Sequence, residues 1–266
     1  MRTILKALLR SAGYKLIPYS TPTNPREINQ DITDAEWATW QSVEPYTMTS
    51  LERVLAAIRA TIYVSENAVP GDIVECGVWR GGSSMAMAQT LQQRGDTSRQ
   101  FYLFDTFQGM TEPTDADIDP NGRDAAGLMA TADDRDASWM WARATLEDVQ
   151  ANLAKTGYPE NKVKYIKGPV EETIPASAPG AISILRLDTD WYESTKHELE
   201  HLYHRLSPGG VLIIDDYGHW QGARQAVDEF FRGKAFLGRI DYSGRFLVKP
   251  HSIDFSGESH PCRHPT

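Results

Sequence analysis

The chain has 266 residues, 41% of them hydrophobic, 10% aromatic and 24% charged, which suits one sizeable core and is marginal for two domains. A formal net charge of −9 argues against nucleic acid or an acidic membrane as the main partner. Its two cysteines, Cys76 and Cys262, stand far apart and outside any CxxC pattern, which excludes a disulfide scaffold or a Cys-type zinc site and fits a reducing compartment.

No apolar run approaches the roughly 20 residues that span a bilayer. The opening MRTILKALLRSAGYKLIP is basic and mildly amphipathic, but Lys6 interrupts the apolar core that a signal peptide needs. It reads as an oligomerisation or surface-lying arm on a cytoplasmic protein. Residues 19–45, rich in Pro, Thr, Asn and acids, form an irregular lead-in, so the N-terminal region is taken as 1–45. Leu51, Val54, Leu55 and Ile58 then recur at helical spacing, and that helix ends before Pro70-Gly71.

From there strands and helices alternate. IVECGV (73–78) is a short apolar strand and the stretch 81–95 is the helix after it, closed by Gly95. FYLFDT (101–106), VKYIKG (163–168), ISILRLD (182–188) and VLIIDD (211–216) are further strands. A helix over about 192–206 separates the fourth strand from the fifth and stops at Ser207-Pro208-Gly209-Gly210. FLGRIDYSGRFLVKP predicts a hairpin turning at Ser243-Gly244. Buried strands separated by helices imply a doubly wound α/β sheet, mainly parallel, with an antiparallel hairpin at one side. The long interval between the second and third strands breaks this rhythm. Its acidic, Gly/Pro-punctuated part, about 111–141, is expected to be a lid-like insertion over a site.

In a parallel sheet, ligands bind beyond the carboxyl ends of the strands, and four of the strands carry an acid there: Glu75, Asp105, Asp188 and the pair Asp215-Asp216. One such acid alone is as readily a helix N-cap; the set is not. Asp105, ending the strand after a glycine-containing turn, suits ribose hydroxyls. Gly77, Gly81 and Gly82 would let a ligand approach the backbone, yet ECGVWRGG lacks GxGxxG spacing, which favours an adenosine ligand without a pyrophosphate. Asp188, Asp215 and Asp216, from neighbouring strands, form an all-oxygen set suited to Mg²⁺ or a similar hard ion. Asp190, two residues on, stands where a general base would, with His219 as the alternative.

Other signals are weaker. His197-Glu198-Leu199-Glu200-His201 matches HExxH, but the helical wheel places Leu199, Leu202, Tyr203 and Leu206 on one face and His197, His201 and His204 opposite, towards solvent, so a zinc site is rejected. Cys76 reads as a small buried hydrophobe. Trp191 and Tyr192 line a pocket or simply pack.

PGDIVECGVWRGGS, YLFDTFQGM, LRLDTDWYEST and LSPGGVLIIDDYGHWQGARQAVDEF together resemble the macrocin O-methyltransferase family, across about 46–250. The resemblance implies a seven-stranded class I methyltransferase sheet, S-adenosylmethionine and Mg²⁺ as cofactors, and methylation of a sugar hydroxyl on a glycosylated natural product in antibiotic biosynthesis. It makes 46–250 the catalytic domain and 251–266 a tail, and favours a homo-oligomer. Cofactor contacts implied are Met48 and Thr49 in the segment that closes over it, then Glu75, Cys76, Gly77, Val78 and Ser83 around the first turn. Asp105, Thr106, Val170, Glu171 and Asp188 complete that set, with Val170 where family members often carry an aromatic. Asp188, Asp215 and Asp216 match the metal ligands and Asp190 the base. A catechol-type O-methyltransferase acting on an aromatic diol is the nearest alternative, but such enzymes usually place a lysine shortly after the first metal aspartate, and none occurs here before Lys196. A non-catalytic adenosine-binding protein is the reading from another class.

Overall fold

The computed structural model describes residues 31–132 and 139–251. The basic N-terminal arm, the tail after His251 and part of the 111–141 insertion lie outside the described residues. Clustering of contacts divides the chain at Trp37/Ala38. In the first unit, Thr33 and Glu36 form a capping box that starts helix α1 (Asp34–Val43): Glu36 N donates to Thr33 Oγ1 at 3.2 Å and Thr33 N donates to Glu36 Oε2 at 2.8 Å.

In the second unit the elements run α2 (Leu51–Glu66), β1 (Asp72–Cys76), α3 (Gly82–Gln93), β2 (Phe101–Asp105), α4 (Ala125–Thr131) and α5 (Leu146–Ala154). They continue as β3 (Val163–Lys167), α6 (Val170–Thr173), β4 (Ile182–Leu187), α7 (Tyr192–Leu202), β5 (Leu206–Ile214), α8 (Gln221–Phe231), β6 (Gly238–Arg239) and β7 (Arg245–Val248). The seven strands make one sheet in the order β3-β2-β1-β4-β5-β7-β6, parallel through β5 and antiparallel at β7 and β6. The chain reverses its direction of travel across the sheet between β1 and β4, which opens a crevice at their carboxyl ends.

Strand parity sorts the core. Val74, Cys76, Tyr102, Phe104, Leu185, Leu187, Leu212 and Ile214 face Leu199 and Leu202 of α7 and Val227 and Phe231 of α8. The alternate residues, Ile73, Glu75, Leu103, Ile184, Arg186 and Ile213, are buried on the opposite side. Among the described residues no helix is long and apolar enough to cross a membrane.

Two expectations change. The helix predicted over 192–206 stops at Leu202, and Leu206 already belongs to β5. Ser207-Pro208-Gly209-Gly210 is not a helix stop but an irregular stretch of strand: Ile182 pairs Leu206 while Ile184 pairs Val211. A bulge of this kind tolerates a proline and a Gly209 at φ +79°. The histidines of α7 do not all face solvent either. His204 is exposed, but His197 and His201 are half-buried, their rings stacked at 4.1 Å, with His197 Nε2 3.0 Å from Ile174 O. Thr195 and Glu198 share the buried side of α7 with Leu199 and Leu202.

The described part of the insertion is tied down by its own acids. Asp117, fully buried, accepts from Thr114 N at 2.7 Å and from Tyr192 N at 2.8 Å, satisfying an orphan amide in the first turn of α7. Ile118 O accepts from Gln221 N at the start of α8. Ala125, Met129 and Met140 then cluster with Trp191, Trp220 and Ala223 as a second small core.

Candidate active site

A cleft of about 490 Å³ opens beyond the carboxyl ends of β1, β2, β4 and β5. Its walls are the segment 46–49, the turns after those strands, residues 109–111, Met140, and the β6–β7 hairpin at Tyr242 and Ser243. Four non-glycine residues with positive φ stand around it: Trp79 (+45°) after β1, Phe107 (+52°) after β2, Ala142 (+40°) after Trp141 and Asp190 (+67°) after β4. Such conformations persist only where neighbours hold them. Asp105 holds two of them, its Oδ2 accepting from Val78 N (2.7 Å) and Trp79 N (3.1 Å) and its Oδ1 from Phe107 N (2.6 Å).

The glycines expected to admit a ligand make room for the protein itself. A Cβ on Gly77, at φ +79°, would lie 2.0 Å from Asp188 O, and one on Gly82 would lie 2.6 Å from Tyr46 O. The β1 turn therefore presses against the β4 turn, and the 46–49 segment lies over the start of α3.

The acids converge as expected from their strands. One carboxylate oxygen each from Asp188, Asp215 and Asp216 falls within 4.8 Å of the others. Beneath them lies Arg186, only 2% exposed, with Nη1 at 2.7 Å from both Glu75 Oε1 and Asp188 Oδ2 and Nη2 at 2.6 Å from Asp215 Oδ1. Glu75 and Arg186 are register partners on β1 and β4, so the pair follows from the strand alignment. Glu75 also accepts from Ser84 Oγ. From the other side Arg53 of α2 pairs with Asp215 and, at 3.0 Å, with Asp241 of the hairpin, and Thr49 Oγ1 donates to Asp215 Oδ2 at 3.2 Å.

Two arginines do not neutralise all these acids. Burial tends to raise Asp215, but Arg186 and Arg53 outweigh it and hold this carboxyl below the ordinary range. Burial pushes Asp188 well up despite Arg186, and pushes Asp216 well up with Asp190 adding to the effect. Asp190 is pushed up to about 7 by burial and the nearby Asp188. His219, whose Nδ1 lies 3.2 Å from Tyr242 Oη, is lowered by burial.

Of the residues singled out in the sequence, Met48, Thr49, Gly77, Val78, Ser83, Asp105, Thr106, Val170, Glu171, Asp188, Asp190, Asp215, Asp216 and His219 all line the cleft. Glu75 and Cys76 are buried and do not line it: Glu75 is turned to Arg186 and Ser84, and Cys76 to the α7 side. Trp191 both lines the cleft and packs edge-to-face on Trp220 at 5.0 Å, whereas Tyr192 points away to Glu229. Arg53, Arg186 and Glu198 were not anticipated. Arg186 had a signal, a lone charge inside the apolar run ISILRL, since a buried arginine must be paired. Arg53 had none.

Residues 19–249 match the macrocin-O-methyltransferase (TylF) family. An 8-demethyl-8-(2,3-dimethoxy-alpha-L-rhamnosyl)-tetracenomycin-C 4'-O-methyltransferase of Streptomyces olivaceus is 34% identical, covering 98% of this chain and 91% of that protein. A mycinamicin III 3''-O-methyltransferase of Micromonospora griseorubida is 32% identical over 70% of each chain. The solved O-methyltransferase NovP superposes with a TM-score of 0.66 at 30% identity, covering 77% of this chain and 83% of its own. With the sheet order, the cleft at its carboxyl edge and the ordered acids all in place, this O-methyltransferase of class I fold belongs to the macrocin O-methyltransferase family.

Proposed function

We propose that the protein methylates a sugar hydroxyl of a glycosylated natural product, using S-adenosylmethionine and a divalent cation such as Mg²⁺. The observation that carries this reading is the meeting of Asp188, Asp215 and Asp216 within 4.8 Å, next to Asp190 and in the same cleft as the β1 and β2 turns. The donor set fits a hard cation: the converging atoms are all carboxylate oxygens, and burial, with the neighbouring carboxylates adding to it, raises Asp188, Asp190 and Asp216. The β1/β2 half fits an adenosine ligand, with Asp105 at the end of β2 and open walls at Ser83, Thr106 and Glu171.

When bound, the cation would supply Lewis acidity towards the acceptor hydroxyl, and S-adenosylmethionine the electrophilic methyl. Asp188, Asp215 and Asp216 would hold the cation, while Arg186 and Arg53 fix the Asp215 carboxylate from two sides. A carboxylate oxygen of Asp190 takes the hydroxyl proton as the oxygen attacks, and Trp191, Trp220 and Met140 keep water from that end of the cleft. Sugar acceptors are supported by the relatives' own named substrates. Against a catechol-type site, Lys196 lies with Nζ 5.4 Å from the Tyr192 ring centroid and does not line the cleft.

The experiment incubates the enzyme with S-adenosylmethionine, Mg²⁺ and panels of rhamnosylated glycosides and of catechols, read by mass spectrometry. A 14 Da gain on glycosides, lost in excess chelator and in Asp188→Ala while cofactor binding by calorimetry persists, is the expected result. Turnover of catechols alone, or full activity in chelator, refutes the reading.

A further inference from the structure

Glu198 stands where a crossover helix should offer the sheet an aliphatic side chain. It is 0% exposed, in the buried stripe of α7 with Thr195, Leu199 and Leu202. A carboxyl so placed is expensive unless something uses it. Its Oε1 accepts from Thr189 Oγ1 at 2.9 Å and the Cys76 thiol is its other polar neighbour, while among the described residues its Oε2 has no partner of good hydrogen-bond geometry. Among the described residues no cation pairs with it, and burial pushes it well above the ordinary carboxylate range.

Thr189 sits between Asp188 and Asp190. Its neighbours show what the hydroxyl anchors. Asp188 N donates to Cys76 O at 2.9 Å, Trp191 N to Thr189 O at 2.8 Å, and Ser194 Oγ to Thr189 O at 3.3 Å. Those bonds fix the backbone of a turn in which Asp190 is held at φ +67°, a conformation strained for a residue with a side chain. The Thr189–Glu198 bond ties the side chain of this turn to the helix beneath it, where Ser194 holds its backbone, and the carboxyls on either side of Thr189 line the cleft.

We propose that Glu198 is a positioning residue, holding the Asp188–Asp190 turn through the Thr189 hydroxyl so that both flanking carboxylates stay aimed into the cleft. The proposal rests on the roles given above to Asp188 and Asp190. It explains why a buried acid without a counter-charge stands at a place where leucine would pack well. Replacing an isolated buried polar group with an apolar one of similar size is neutral or stabilising when its partner can reach water. Thr189 is half-exposed and can do so. Stability and activity should therefore separate.

The test compares Glu198→Leu, Glu198→Gln, Thr189→Val and the Glu198→Leu/Thr189→Val pair by melting temperature, cofactor binding and steady-state methyl transfer. Glu198→Leu should melt no lower than the wild type at pH 8, bind S-adenosylmethionine normally and lose roughly 10- to 100-fold in kcat, the scale of a displaced reacting group. Glu198→Gln, which keeps an acceptor for Thr189, should stay within about threefold of the wild type. Thr189→Val should lose as much as Glu198→Leu, and the double variant no more than either. Wild-type kcat in Glu198→Leu, a fall in melting temperature that tracks its loss of activity, or additive losses in the double variant each overturn the proposal. Asp190→Asn separates the two readings. If it is inactive while Glu198→Leu is fully active, only the present proposal fails; if it is fully active, the base assignment fails, whereas the Thr189–Glu198 coupling is judged on its own result.

Discussion

Replacing Arg186 with methionine would remove the cation that Glu75 contacts among the described residues. Methionine has similar length and an apolar tip, so the loss is of charge and hydrogen bonds rather than volume. Arg186 serves three acids, but they would suffer unequally. Asp215 keeps Arg53 and Thr49, and the Asp188 side chain is 28% exposed and can draw on water. Glu75 is 1% exposed, with Ser84 as its other polar partner, so it becomes the uncompensated charge. Stripping one partner from a buried pair costs about 3–5 kcal/mol. At about 2–4 °C per kcal/mol for a chain of this size, the melting temperature should fall by about 6–20 °C. The companion variant Arg186→Met/Glu75→Gln removes the orphaned charge while keeping a group that can bond Ser84, and should recover more than half of the loss. Thermal melting and urea unfolding of the wild type, both single variants and the double complete the cycle. A loss under about 1 kcal/mol in Arg186→Met, or additive losses in the double, would refute the claim that Glu75 and Arg186 act as a pair.

Two further outcomes follow from the geometry. Gly77→Ala puts a Cβ 2.0 Å from Asp188 O at φ +79°, so it should destabilise the fold by more than about 1 kcal/mol and reduce turnover together; wild-type melting and turnover would contradict the contact. Glu198→Gln should raise stability relative to the wild type increasingly with pH. The folded chain keeps the Glu198 proton where the unfolded chain, near the ordinary glutamate value of 4.5, releases it. Wild-type stability is then fullest below that value and falls as pH rises towards the raised folded pKa. Melts at pH 5 and pH 8 check this: a gap that does not widen in favour of glutamine at pH 8 sinks it.

Strand positions were legible in the sequence because each is a short apolar run bounded by glycine or an acid, and the acids were legible because strand ends put them at one edge. What stayed hidden depends on parity and register. Glu75 and Cys76 are adjacent, yet pleating sends one to the Arg186 side and the other to the α7 side, and neither to the cleft. Only the alignment of β1 with β4 sets Glu75 opposite Arg186, and no local pattern encodes that pairing. The helix end was misplaced because Pro-Gly-Gly, which usually stops a helix, here shapes a bulge in a strand held by partners on both sides. Glu198 stays hidden because its buried setting depends on how α7 packs on the sheet, which an HExxH pattern does not encode. That Gly77 and Gly82 also make room for Asp188 and Tyr46 was hidden because one segment's approach to another is invisible until both are placed.

The salt bridge from Arg53 to Asp241 joins residues 188 positions apart, so the lip of the cleft is closed by segments far apart in the sequence. During synthesis every strand from β1 to β5 leaves the ribosome before β7 exists to pair with Val211–Ile214. Until then β5 is a bare, strongly apolar edge of a parallel sheet, able to template pairing with another nascent chain. The C-terminal hairpin is thus both the last part of the site to arrive and the cap that ends the period of greatest aggregation hazard. Chains truncated before Arg245 should be lost to aggregation rather than accumulate as soluble, merely inactive protein.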